Sequence, residues 1–224
     1  MDAYGGKNES AGKTFARAWG YALLQRAKLY SMFHIVIASQ DCGDIRFLLG
    51  LGVRPDRIIA CDIDPKAVEI ARTFGVIISP FPRIEHTVAW AQVQRFAIGS
   101  INVDLCCSLL GGVNILGPIL AAAAPLTLFT FRRGRDSTLL KRQKEQHGVK
   151  FNNDHLRALY VQEKVGELPG KQESYHSSTR TNQGSAMGIA AFFKGGKRTE
   201  RLVMPEVSDS LTPVLAPDDV AYTF

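Results

Sequence analysis

The sequence predicts an α/β protein in which helices cover both faces of a parallel sheet. Two observations lead to this prediction. Short runs of apolar, β-branched residues recur along the chain, and each run is followed by a segment long enough to form a helix. Strands that are apolar on both faces are typical of a parallel sheet buried between two helical layers. With 224 residues, 46% of them hydrophobic, the chain can bury such a core.

Five strands and four intervening helices are predicted in the central part of the chain. The predicted strands are His34–Ser39, Arg57–Asp64, Gly75–Ser79, Ile101–Cys107 and Leu126–Phe131. The predicted helices are Asp44–Leu51, Pro65–Phe74, Glu85–Phe96 and Val113–Ala124. The second helix has the clearest start, because Asp64 is a preferred capping residue and Pro65 fits the first helical position.

The two ends of the chain differ from this repeat. Residues 1–30 are interpreted as a leader followed by an amphipathic helix, 31–198 as the α/β domain, and 199–224 as an irregular tail. Within the domain, two helices are expected at 137–147 and 154–165. Two further strands, 173–180 and 186–194, are separated by a turn-rich segment, so they predict an antiparallel hairpin that closes the sheet.

Composition limits the environment and the partners of the protein. The sequence has 27 Lys and Arg against 21 Asp and Glu, a formal net charge of +6, which suits a polyanionic partner. No run of 18 apolar residues predicts a membrane span. The four cysteines lie in or beside apolar runs and do not show metal-site spacing, so we expect a reduced, cytoplasmic protein without a metal. The sequence leaves the oligomeric state open.

Polar residues at two strand ends predict a nucleotide-like site, because ligands of open parallel sheets bind at the carboxyl ends of the strands. The turn after the first strand, Ser39–Asp44, contains one glycine, Gly43, which would let the backbone approach a ligand. A plain strand-to-helix turn without a ligand is equally compatible with this sequence. Asp62 lies 19 residues beyond Gly43, a spacing at which a carboxylate accepts hydrogen bonds from ribose hydroxyls. The alternative is a solvated acid beside a helix start.

The end of the fourth predicted strand offers a possible nucleophile. Cys107 could act if its thiolate were stabilised, although a cysteine in an apolar strand is more often a small core residue. The fifth strand is followed by three basic residues, Arg132, Arg133 and Arg135, which could hold phosphate groups beside the site. The alternative for them is a solvated helix face.

The stretch IIACDIDPKAVEIAR, residues 58–72, resembles the second strand and helix of class I S-adenosylmethionine-dependent methyltransferases. The resemblance implies a Rossmann-like, seven-stranded sheet closed by the C-terminal hairpin, with S-adenosylmethionine as cofactor. The turn around Gly43 would then line the methionine part, Asp62 would hold the ribose, and Ser79 would lie near the adenine. The implied cofactor-binding residues are Ser39, Gln40, Asp41, Gly43, Asp62, Ile63 and Ser79.

The segment Asp104–Gly111 is also similar to the Asp-x-Pro-Cys-Ser-x-x-Gly motif of cytosine-5 methyltransferases acting on RNA, although Cys106 replaces the motif proline. This similarity makes Asp104 and Cys107 the catalytic candidates and Ser108 a substrate contact. The predicted function is methyl transfer to nucleic acid. The alternative is a non-catalytic, methyltransferase-like binding or assembly module, since the turn keeps a single glycine. A nicotinamide-dependent oxidoreductase would need a richer glycine turn.

Overall fold

A computed structural model of the chain describes residues 27–132, 137–148 and 187–193, together with positions 17, 20, 21, 23–25, 156, 157, 159, 160, 163 and 164. For residues 105–108, 110, 132 and 187–193 the description is confined to the backbone. The predicted strand 173–180, the tail 199–224, Arg133 and Arg135 lie outside the described residues.

The described strands form one sheet in the order β3-β2-β1-β4-β5-β6. The strands are β1 Phe33–Ile37, β2 Ile58–Cys61, β3 Ile77–Ile78, β4 Ile98–Ser108, β5 Leu126–Arg132 and β6 Met187–Phe193. The first five are parallel, and β6 pairs antiparallel with β5. The predicted parallel α/β sheet is therefore confirmed. The hairpin and the seventh strand stay predictions, because the partner expected for β6 lies outside the described residues.

Five α-helices have both of their ends within the described residues. They are α1 Gly43–Gly50, α2 Pro65–Arg72, α3 Ile84–Val93, α4 Leu109–Ala121 and α5 Ser137–His147. The start of α2 is the predicted one, since the Asp64 side chain accepts a hydrogen bond from the Lys66 amide at 2.9 Å and Pro65 occupies the first turn. Within the described part of the chain, no helix combines the length and apolar character needed to cross a bilayer.

Several predicted boundaries were wrong, and three of them lie close to the carboxyl edge of the sheet or in β4. Strand β2 ends at Cys61, so that Asp62 lies in a loop, and β4 begins at Ile98. Helix α4 begins at Leu109 instead of the predicted Val113, and so includes the consecutive glycines 111 and 112. The buried stripe Leu109, Val113 and Leu116 packs this helix onto the sheet, and this burial outweighs the low helix propensity of glycine.

The core has two layers, one on each face of the sheet. Neighbouring strand residues alternate between the layers: Ile35 belongs to the layer under α3 and α4, and Val36 belongs to the layer under α1 and α2. The helical residues before β1 pack on the second layer. A Cβ atom added to Gly20 would lie 2.6 Å from a methyl group of Leu128 on β5, so this segment rests closely against the sheet. That packing fixes the position of Arg17.

Candidate functional site

The turns that follow β1 and β2 lie side by side on one rim of the sheet. The Ser39 amide donates to Oδ2 of Asp62 at 2.9 Å, and the Asp64 amide donates to Oδ1 of the same carboxylate at 2.9 Å. The Gln40 side-chain amide donates to Asp64 at 2.7 Å. One carboxylate thus joins the two turns that the sequence had singled out.

The turn after β1 contains two residues in the left-handed region, Ser39 with φ 49° and Cys42 with φ 47°. Asp41 holds this turn, because its carboxylate accepts hydrogen bonds from the Ser39 hydroxyl and from the Gly43 amide at 3.2 Å. Burial alone would raise the pKa of Asp41, but the Ser39 hydrogen bond and the Arg17 charge outweigh it and lower this pKa to about 2. Asp41 is therefore ionised at neutral pH.

The guanidinium of Arg17 lies directly on the backbone of Gly43. A Cβ atom added to Gly43 would lie 2.1 Å from Nη1 and 2.3 Å from Cζ of Arg17, far inside contact distance. The glycine therefore makes room for an arginine from the N-terminal helical segment. A side chain of the protein itself fills the space over the turn where the sequence had suggested a ligand.

Three carboxylates surround this guanidinium. Nη1 lies 3.2 Å from Oδ2 of Asp41, Nε lies 3.3 Å from Oδ1 of Asp44, and Nη2 lies 3.8 Å from Oδ2 of Asp104. The Arg17 side chain is only 4% exposed. Because Asp41 and Asp44 follow β1 and Asp104 lies on β4, the cluster spans the point where strand order reverses, which is the usual ligand position in such sheets.

Two neutral side chains hold Asp44 in place. The Tyr21 hydroxyl donates to Asp44 Oδ1 at 2.9 Å, and the Asn102 amide nitrogen donates to the same atom at 2.7 Å. Burial raises the pKa of Asp44 to about 6 despite the charge of Arg17, and it also raises the pKa of Tyr21 well above its usual value. The Oδ1 atom of Asn102 is buried and has no hydrogen-bond partner among the described residues.

The predicted adenine side is built differently. The Ser79 hydroxyl lies 2.8 Å from that of Thr87 and accepts a hydrogen bond from the Phe81 amide at 3.0 Å, so it stabilises the loop after β3. Two apolar side chains at the ends of β2 and β3 are left exposed: Ile63 is 78% exposed and Phe81 is 40% exposed. Both residues follow neighbouring parallel strands, so they lie on the same rim as Asp62.

The remaining predicted site residues are only partly described. Asp104 belongs to the acidic cluster, whereas the backbones of Cys107 and Ser108 form the last part of β4. The backbone of Arg132 pairs with Ser108 at the end of β5, so these two positions share the carboxyl edge of the sheet. Arg133 and Arg135 lie outside the described residues.

Sequence reasoning missed four residues of the buried cluster: Arg17, Tyr21, Asp44 and Asn102. Two signals could have indicated them. Positions 17, 21 and 24 follow the i, i+4, i+7 spacing of a helix face, which places a charge on an apolar stripe. Asn102 is a polar residue inside an apolar strand, and such residues are buried only with partners.

No protein-family profile and no curated protein matches the chain. Among solved structures, an O-methyltransferase from Bacillus cereus in complex with S-adenosylhomocysteine matches at 13% identity and a TM-score of 0.54, covering 85% of this chain and 84% of that one. The bifunctional kinase-methyltransferase WbdD matches at 11% identity and a TM-score of 0.50, covering 83% of this chain and 40% of that one. Magnesium protoporphyrin IX methyltransferase from Synechocystis PCC 6803, with bound S-adenosylhomocysteine, matches at 11% identity, covering 85% of this chain and 90% of that one, with a TM-score of 0.49.

These similarities concern the fold, since the identities are low. The chain has a Rossmann-like α/β fold similar to that of S-adenosylmethionine-dependent methyltransferases, which confirms the parallel sheet flanked by helices that the resemblance implied. The seventh strand and the closing hairpin stay predictions. The polar rim described above lies at the carboxyl edge of that fold, after β1, β2 and β4. The residues of this rim, rather than the fold, determine the activity, because one fold supports many activities.

Proposed function

We propose that the protein is an S-adenosylmethionine-dependent methyltransferase that acts on nucleic acid. The observation that supports it best is the Asp62 carboxylate, which joins the turn after β2 to the Ser39–Gly43 turn after β1. In an open parallel sheet this is the crevice in which nucleotide-like ligands bind.

The residues present fit the cofactor. Each oxygen of Asp62 accepts one backbone hydrogen bond and keeps a lone pair, so the carboxylate can also accept from two ribose hydroxyls. The exposed side chains of Ile63 and Phe81 offer apolar contact to an adenine, with Ser79 holding the loop. When bound, S-adenosylmethionine would supply a methyl group on a positively charged sulfur, which leaves as a neutral thioether once a lone pair of the substrate takes the methyl.

A titration tests the cofactor site. We expect wild-type protein to bind S-adenosylhomocysteine in isothermal titration calorimetry and Asp62→Ala to bind about 100-fold more weakly, since a ribose contact and the link between the turns are both lost. Asp56→Ala removes the same charge at the opposite edge of the sheet and is the matched control. Absence of heat at millimolar ligand, or equal affinity of wild type and Asp62→Ala, would reject the cofactor site.

We assign catalysis to Asp104 and Cys107. Cys107 would add to a pyrimidine ring as a thiolate and make the adjacent ring carbon nucleophilic; once that carbon has taken the methyl group and lost its proton to a base, elimination would release the thiolate. Asp104 lies 3.8 Å from the Arg17 guanidinium that covers Gly43, beside the turn that would hold the cofactor. The two described free cysteines are not candidates, because burial raises the pKa of Cys61 to about 12 and also raises that of Cys42. Cys107→Ala should abolish methylation of RNA, whereas Cys106→Ala should not. Equal activity of the two variants would remove the nucleophile from the proposal.

Nucleic acid is the proposed substrate because the backbone of Arg132 ends β5 at the same edge of the sheet, and Arg133 and Arg135 follow it in the sequence. Ser108, Arg132, Arg133 and Arg135 are the proposed substrate contacts. Helix α5 adds exposed Lys141 and Arg142. In a filter-binding assay, Lys141→Gln/Arg142→Gln should weaken RNA binding and reduce its salt dependence, while Arg54→Gln/Arg72→Gln at the other edge should not. Equal effects of the two pairs would contradict a specific binding surface.

A non-catalytic module is the second candidate, and the position of Arg17 over Gly43 favours it. Such a module would bind nucleic acid or assemble without any cofactor. Light-scattering mass and a gel-shift assay, both without cofactor, distinguish the two. A defined assembly together with no detectable binding of S-adenosylmethionine supports the module and contradicts the enzyme.

A further inference from the structure

The turn that would receive the methionine part of the cofactor already contains a ligand-like group. The guanidinium of Arg17 rests on Gly43 and lies among Asp41, Asp44 and Asp104. Its side chain is almost completely buried. A molecule lying on the Gly43 backbone and the Arg17 guanidinium cannot occupy this space at the same time.

Charge decides what could replace the guanidinium. The side chains of Asp44 and Asp104 are only 1% and 8% exposed, and leaving them without a cation is strongly unfavourable, so an occupant of this space must bring positive charge. The methionine end of S-adenosylmethionine carries an ammonium and a sulfonium against one carboxylate, and so has the same net charge as arginine. It can therefore take over the electrostatic role of Arg17.

A second observation concerns Asn102, which contacts Asp44. Its Oδ1 atom is buried and lacks a hydrogen-bond donor among the described residues, although buried acceptors are nearly always satisfied. Arg17 thus occupies the cluster but leaves the Oδ1 atom of Asn102 without a hydrogen bond from the described part of the chain. An ammonium group, with three N–H donors, could supply what is missing.

We propose that Arg17 is an internal competitor for the methionine subsite, and that S-adenosylmethionine binds by displacing its guanidinium from Gly43. The inference rests on the proposed function. The competition lowers the apparent affinity by the fraction of molecules in which the subsite is open, because only those molecules can bind. Arg17 therefore sets how much cofactor is needed to fill the site.

Binding measurements on variants test the competition. Removing the competitor should tighten the binding of S-adenosylmethionine to Arg17→Met by about tenfold or more relative to wild type. Arg54→Met, which removes a 74% exposed arginine at the opposite edge, should leave the affinity unchanged. Weaker binding to Arg17→Met would overturn the proposal, since it would mean that Arg17 is a ligand for the cofactor's carboxylate.

Chemical labelling of the wild-type protein gives a test that needs no variant. Phenylglyoxal modifies accessible arginines, and peptide mass spectrometry locates each adduct. Arg17 should be protected in the free protein and become several-fold more reactive when S-adenosylmethionine is bound, while the exposed Arg54 reacts equally in both states. If Arg17 stays protected or becomes better protected in the complex, the proposal is wrong. The labelling of wild-type protein tests the competition even if the Arg17→Met variant does not fold.

The outcomes also separate this inference from the proposed function. If neither wild type nor folded Arg17→Met binds S-adenosylmethionine, the cofactor site itself is refuted and the competition with it. If wild type binds while Arg17 stays protected, the cofactor site stands and only the competition is refuted. Binding to both proteins, with higher affinity for Arg17→Met than for wild type, would support both.

Discussion

The two ends of β1 handle buried polarity in opposite ways. At the amino end, the ring of His34 forms a 2.9 Å hydrogen bond with the Ser100 hydroxyl inside the core. Burial lowers the pKa of His34 to about 4, so this pair is neutral at neutral pH. At the carboxyl end, Arg17 and three carboxylates are collected in a small volume.

The difference separates structural polarity from functional polarity. The buried neutral pair of His34 and Ser100 joins β1 to β4 without bringing charge into the core. Gathered charges instead cost desolvation free energy, which hydrophobic residues in their place would avoid. Concentrations of perturbed carboxyl groups are therefore candidates for functional sites. In this chain they occur at the edge of the sheet where the fold binds ligands.

The largest expected effect concerns His34, at the amino end of β1, and the way in which it makes the free energy of unfolding depend on pH. The lowered pKa of His34 contributes stability that is fully present above its unfolded value of about 6.5 and is lost as the pH falls towards 4. The advantage of wild type over His34→Gln in free energy of unfolding should shrink by about 3 kcal/mol between pH 7.5 and pH 4. Urea denaturation measures it. A constant difference would mean that the pKa of His34 is the same in the folded and the unfolded protein.

At the carboxyl end of β1, Asp44 should make the free energy of unfolding change with pH in the opposite direction. The raised pKa of Asp44 contributes stability that is present below its unfolded value of 3.8 and is lost as the pH rises through 6. The free energy of unfolding of wild type relative to Asp44→Asn should therefore fall by about 2–3 kcal/mol between pH 4 and pH 7. Urea denaturation of both proteins across this range measures it, and a rise with pH would show that Arg17 dominates over burial.

A smaller effect tests the contact between Gly43 and Arg17. Gly43→Ala should destabilise the protein by about 1–2 kcal/mol, because the new methyl group forces the guanidinium away from its carboxylates. In an Arg17→Ala background the same change should have almost no effect. Gly50→Ala, at the other end of α1 where nothing lies within 4 Å of the new atom, is the control. Additive effects in chemical denaturation would show that the two residues do not touch.

The smallest expected effect concerns the start of α2. Asp64→Ala removes the acceptor for the Lys66 amide and for Gln40, and should lower Tm by about 2–4 °C. Asp64→Asn keeps a capping acceptor and should recover most of the loss in differential scanning calorimetry. If both variants lowered Tm equally, the charge of Asp64 rather than its capping hydrogen bond would stabilise the turn.

Local sequence signals predicted the parts of the molecule that local chemistry determines. The β-branched runs predicted the strands, Asp64 and Pro65 predicted the start of α2, and the positions of Gly43 and Asp62 predicted that the two turns would meet. Each of these features depends on the residues of one strand end or one helix end. The parallel pairing of β1 and β2 then places both turns at the same edge of the sheet.

The side chain that fills the rim, Arg17, could not be predicted from local sequence signals. Arg17 reaches Gly43 because the helical segment before β1 packs against Leu128, a contact between distant parts of the chain. The start of α4 at Leu109 likewise depends on burial against the sheet rather than on the propensity of its glycines. Long-range packing of this kind leaves no local pattern in the sequence.

A crystal structure of the chain with S-adenosylmethionine would test the central claim most directly. We predict the ribose hydroxyls on the Asp62 carboxylate, the adenine against Ile63 and Phe81, and the methionine end on Gly43 with the Arg17 guanidinium moved away. A crystal grown at millimolar cofactor in which Arg17 still covers Gly43 and no adenosine lies beside Asp62 would contradict the account.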